Sequence, residues 1–91
     1  MKMNDLIEQV IQYYEQADGV CVYRNLEVCD TDYTSIWTNN DTMYFEFDED
    51  EIKDFKFGFN EIKEIIFDQL GDMPVSIIKL NNGDSILIHN L

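Results

Sequence analysis

Six lysines and arginines among 91 residues are too few to grip a nucleic-acid backbone or an anionic membrane, since both are bound through basic side chains. Apolar runs are equally short: none approaches the roughly 20 residues that span a bilayer. Met1-Lys2-Met3-Asn4-Asp5 leads straight into a helical pattern carrying Glu8, without the apolar core of a secretory signal. The four glycines, at 19, 58, 71 and 83, are isolated, so no Gly-rich loop is available to cradle a phosphate. Only Cys21 and Cys29 carry thiols, and His89 is the one histidine. Zinc-ligand spacing is therefore missing. Without a leader, two cysteines are expected as reduced thiols in a cytoplasmic protein. A Cys–His nucleophile pair would need His89 as a fixed base two residues from the last position.

Calcium chemistry fails on the same kind of inspection. Asp48 and Asp50 suit the first two ligand positions of an EF-hand, but Ile52 and Lys53 then stand where a ligand and a glycine are required. Asp30-x-Asp32-x-Thr34 reaches Asp41 in the twelfth place, yet Ser35 replaces the glycine. Carboxylate pairs abound, but a chain this short has no room for a sugar cleft. No enzyme, metal or cofactor is expected.

What the sequence does contain is acid and aromatic residues. Nineteen Asp and Glu give a formal net charge of −13, well beyond the roughly 2–8 that keeps a small domain soluble. Such crowding costs stability through self-repulsion, so it points to a basic partner. Adaptation to salt, or plain solubility, is the alternative reading. Six Phe, five Tyr, one Trp and a hydrophobic fraction of 45% supply a core that acidic disordered chains lack. One domain over residues 1–91 is expected.

Met3, Leu6, Ile7, Val10, Ile11, Tyr13, Tyr14 and Ala17 recur at helical spacing, predicting an amphipathic helix from Asn4 to Gly19. Asp5 and Glu8 resemble a capping box, and Gly19 suits the residue after the helix. Residues 20–29 alternate as one long strand or as two short strands turning at Arg24-Asn25. Tyr33 to Thr38 reads as a strand, and Asn39-Asn40-Asp41 as a turn. Asn60 to Leu70 fits either a helical face through Ile62, Ile65, Ile66 and Leu70 or a strand; the helix, over 61–70, is the preferred assignment. Asp72-Met73-Pro74 reads as a break, and two strands, 75–80 and 85–89, are joined through Asn82-Gly83. The predicted fold is α+β, with the N-terminal amphipathic helix packed on an antiparallel sheet of five to six strands.

The stretch from Thr42 to Phe59 organises the rest. Met43, Phe45 and Phe47 share one strand face, and Phe55, Phe57 and Phe59 share the next. Between them Glu46, Asp48, Glu49, Asp50, Glu51 and Asp54 place six negative charges in nine residues, against the single Lys53. Side chains on one strand face repeat at about 6.8 Å, while B-DNA carries about one charge per 3.4 Å of axis on each strand. Carboxylates on a hairpin can therefore approach the charge density of a nucleic-acid backbone. Asp30, Asp32 and Asp41 lie in turns that extend this array, and Tyr44 and Tyr33 are aromatic anchors beside it. A solvated hairpin tip is the plainer alternative.

In size, acidity and the opening Asn4-Asp5-Leu6-Ile7 the chain resembles the small phage-encoded anti-CRISPR inhibitors of type II-A systems. The match covers only those four residues, and the chain ends in the Asn82-Gly83 hairpin rather than in helices, so no contact residue is carried over. The resemblance implies an inhibitor of an RNA-guided nuclease, aimed at the arginines that read PAM guanines. It places that partner in the cytoplasm of the host bacterium. An immunity or antitoxin protein against a basic toxin nuclease rests on the same charge. A small adaptor binding through an exposed sheet edge is the structurally different alternative.

Overall fold

A computed structural model describes residues 3–15, 20–25, 27–30, 34–47 and 54–90. The helix α1 runs from Met3 to Glu15 and buries Ile7, Val10 and Tyr14 along one stripe. Because it starts at Met3, Asp5 lies in its first turn, where a carboxylate suits the helix dipole, rather than at the cap. Gly19 lies outside the described residues.

Eight strands follow among the described residues: β1 (Val20–Arg24), β2 (Glu27–Asp30), β3 (Thr34–Asn39), β4 (Thr42–Phe47), β5 (Phe55–Gly58), β6 (Ile62–Leu70), β7 (Met73–Leu80) and β8 (Ser85–Asn90). They form two antiparallel sheets instead of the single sheet expected. The larger has the order β2-β1-β8-β7-β6 and the smaller β3-β4-β5. Of the two readings of residues 20–29, the paired short strands hold, turning at Asn25 with φ +52°. Asn40 and Asp41, at φ +51° and +57°, make the left-handed turn that suits the twist of the β3–β4 hairpin.

The second helix expected at 61–70 is instead β6, paired with β7 from Ile62↔Leu80 to Leu70↔Met73. Its misleading pattern has a geometric cause. The register shifts between Ile62 and Glu64, and the extra residue brings Ile62 and Ile65, three apart, onto the core face, with 6% and 9% exposure. A bulge has imitated a helical step. Phe59 belongs to a 3₁₀ turn, Phe59–Glu61, rather than to β5; the Glu61 carboxylate accepts the Gly58 N–H at 2.7 Å. The break expected at Asp72-Met73-Pro74 falls earlier, at Gly71 (φ +64°). Pro74 itself sits in β7 opposite Gln69, just short of the first pair with β8, Val75↔His89, so its missing N–H interrupts no pair of that ladder.

One core joins all three layers. Ile7, Val10 and Tyr14 of the helix meet Val22, Ile78, Ile86 and Ile88 of the large sheet and Met43, Phe45 and Phe57 of the small one. Arg24 ties the sheets at their rim. Its Nη2 donates to Asp84 Oδ2 at 3.1 Å, and its guanidinium lies 5.1 Å from the Phe55 ring centroid. Asn25 Nδ2 also donates to Asp84, and these bonds, Asn25 first and Arg24 next, hold the Asp84 carboxyl below its ordinary range.

Candidate protein-binding surface

Alternation along β4 sends Met43 and Phe45 inward, both fully buried, so Tyr44 and Glu46 must stand on the opposite face. The register continues that face across the small sheet: Trp37 of β3 lies opposite Tyr44, and Lys56 of β5 lies on the other side of it. Trp37 and Tyr44 stack with centroids 4.0 Å apart and planes at 8°. The Lys56 ammonium sits 5.7 Å from the Tyr44 centroid, within cation–π range. The indole Nε1–H of Trp37 donates to the Glu46 carboxylate. At the adjoining end of the sheet, Asp54 Oδ1 accepts the Phe47 N–H at 2.8 Å.

The result is an aromatic platform beside carboxylates. Trp37 is 39% exposed and is one of four large exposed hydrophobics among the described residues. Its apolar bulk alone would place it in the core. The signal that identifies it is parity: Ile36 points inward, so Trp37 points out.

Of the residues expected to bind a partner, Glu46, Asp54 and Tyr44 come together here. Asp41 does not. It occupies the turn at the far end of β4, about 17 Å along a strand of this length. Asp30 lies in β2, an edge of the large sheet. Asp32, Asp48, Glu49, Asp50 and Glu51, with Tyr33, lie outside the described residues. Lys56 is a cation within the face that the acidic reading did not include.

Register also sets Cys21 directly opposite His89. Cys21 is only 4% exposed, and the His89 ring packs on Tyr23 with centroids 5.6 Å apart. A substrate would have no approach to that thiol. No three His, Cys, Asp or Glu side chains converge as a metal site among the described residues, and no helix there is long and apolar enough to cross a membrane. No family model, curated protein or solved structure matches the chain.

Proposed function

We propose that this protein is a non-enzymatic inhibitor that seats an acidic, aromatic face in the cationic nucleic-acid groove of a bacterial DNA-binding protein. The observation that carries the reading is the exposed Trp37 stacked on the half-buried Tyr44, with Glu46 bonded to the indole, on a chain of net charge −13. An arginine-lined groove offers guanidinium groups that stack on aromatic faces and pair with carboxylates. Tyr and Trp concentrate binding energy when they are buried at an interface. Charge supplies the other half: it steers association and makes it sensitive to salt.

The target class the reading favours is an RNA-guided nuclease, whose PAM-reading arginines combine cationic charge with planar donors. Such an inhibitor acts in the bacterial cytoplasm. The test is competition: DNA binding and cleavage by the purified nuclease are measured against rising inhibitor. Inhibition is expected, and Trp37→Ala should weaken it by about 30-fold, the value of a hot-spot residue of about 2 kcal/mol. Full cleavage at saturating inhibitor would remove the nuclease from the proposal.

A further inference from the structure

The larger sheet carries a second surface, unrelated to the aromatic platform. On its outer face a half-buried apolar row has Ile66 opposite Ile77, Ile77 opposite Leu87 and Leu87 opposite Tyr23, beside the row Val75–His89–Cys21, in which Val75 and Cys21 are buried. Of Ile66, Ile77, Leu87 and Tyr23, none belongs to the core cluster or packs against it. The row ends at Ile66 on β6, the edge of the sheet, where no described strand pairs on the outer side.

Edges are usually blunted; this one carries the exposed charges of Lys63, Glu64 and Asp68, and its backbone is disturbed only towards its ends. The register shift between Ile62 and Glu64 disturbs one end, and Asp68 Oδ1 takes the Gln69 N–H at 2.8 Å near the other. Glu64 to Asp68 is left as a regular stretch. Along it, Glu64, Ile66 and Asp68 alternate on the outer face, and both acids are exposed. On the other face Phe67 is 44% exposed and shares a shallow hollow with Tyr13 of the helix.

We infer that β6 receives an extended segment of a partner protein as an added strand, apolar at its centre and carrying Lys or Arg two residues to either side. The central residue continues the Tyr23–Leu87–Ile77–Ile66 row. The flanking cations lie opposite Glu64 and Asp68, because opposite charges favour cross-strand positions. Glu64 is already 3.7 Å from Lys79, but that exposed pair is weakly held and leaves the carboxylate accessible. A second copy of this chain is a poor occupant. A two-fold axis through Ile66 would set Glu64 against Asp68 twice, and bring −13 against −13.

The probe is a capped, palindromic heptapeptide, Thr-Lys-Ile-Val-Ile-Lys-Thr, which presents the same pattern in either strand direction. Titrated into the isotopically labelled protein at low salt, it should shift the amides of 64–68. Replacing both of its lysines by Glu should weaken Kd by at least about tenfold. The double variant Glu64→Lys, Asp68→Lys should reverse that preference; both positions are exposed, and a circular dichroism melt confirms the fold. If the variant does not fold, the Lys-to-Glu peptide swap on the native chain carries the same decision. The inference is overturned by equal binding of the two peptides, by no binding, by shifts confined to Trp37 and Tyr44, or by a concentration-dependent dimer built on β6. None of these results touches the nuclease competition, which reads the other sheet.

Discussion

The phenolic oxygen of Tyr14, on the helix, lies 2.7 Å from the carbonyl oxygen of Ile88, 74 residues further along the chain. A carbonyl only accepts, so the phenol spends its one proton there, and the Ser76 hydroxyl, 3.0 Å away, donates back to the Tyr14 oxygen. This buried polar junction fixes the helix to β7 and β8. Tyr14→Phe keeps the ring and leaves Ser76, 2% exposed, without that partner. A loss of about 1–2 kcal/mol is expected, read as a fall of roughly 4–16 °C in Tm for a domain of this size.

The same hydroxyl gives a pH dependence. Burial pushes its pKa above the ordinary 10.0, with the Ser76 hydrogen bond pulling partly the other way. The unfolded chain therefore releases this proton at a lower pH than the folded one. The stabilisation from Tyr14 is complete below pH 10.0 and is lost as pH rises through the folded value. Denaturant melts from pH 8 to pH 11 should show native stability falling more steeply above about pH 10 than that of Tyr14→Phe. Parallel curves would show that the phenol ionises alike in both states.

At Gly83, φ is +97° and a Cβ would meet nothing within 4 Å. Any penalty for Gly83→Ala is then conformational and not steric. About 1–2 kcal/mol is expected. Gly71, at φ +64° with equal space, lies where asparagine is at home, so Gly71→Asn should lower Tm less than Gly83→Ala. Equal effects would place the cost in the unfolded chain.

Alternation and turn chemistry made much of this architecture legible. The pairing of the aromatic strands β4 and β5 and the Asn82-Gly83 connection were each specified by a few adjacent residues, and each is formed; the turn expected at Asn39-Asn40-Asp41 is narrower, with Asn39 ending β3 and Asn40 and Asp41 at positive φ. Two features were not visible for physical reasons. The bulge at Ile62–Glu64 changed a period of two into a step of three, which no local rule separates from a helix. The division into two sheets depends on which strands find one another: β1 pairs with β8, and that choice is made by packing across most of the chain's length. In the candidate site, the charges of Glu46 and Asp54 are legible in the sequence, while Trp37 has the apolar bulk of a core residue, and its outward parity follows only once the core face of β3 is known.

Phe45 tests whether the two sheets are one cooperative unit. It is fully buried, stacks on Phe55 at 4.8 Å and tilts against Phe57 at 5.8 Å. Phe45→Ala should cost about 3–5 kcal/mol, a large share of the 5–15 kcal/mol typical of such domains. Because the core is shared, amide protection should fall equally in β4 and in β8, measured by hydrogen exchange. Protection lost from β4 but kept in β8 would mean that the small sheet opens alone.

The aromatic platform allows charge and shape to be separated. Glu46→Gln keeps an acceptor for the Trp37 indole but removes the negative charge, whereas Trp37→Ala removes the stacking surface. Coulombic attraction between exposed groups fades as the Debye length shrinks from about 10 Å at 0.1 M salt to about 3 Å at 1 M. Stacking and apolar burial do not fade in this way. Against an arginine-rich partner surface, Glu46→Gln should therefore bind several-fold more weakly than the native chain at 0.1 M salt and converge with it near 1 M. Trp37→Ala should stay weaker at both. Since Trp37 is the only tryptophan, its emission reports directly whether the platform is covered in the native and Glu46→Gln proteins. An emission unchanged on binding would move the contact away from β3 and β4. A Glu46→Gln deficit that persisted undiminished in high salt would assign that carboxylate to positioning the indole instead of to attracting the partner.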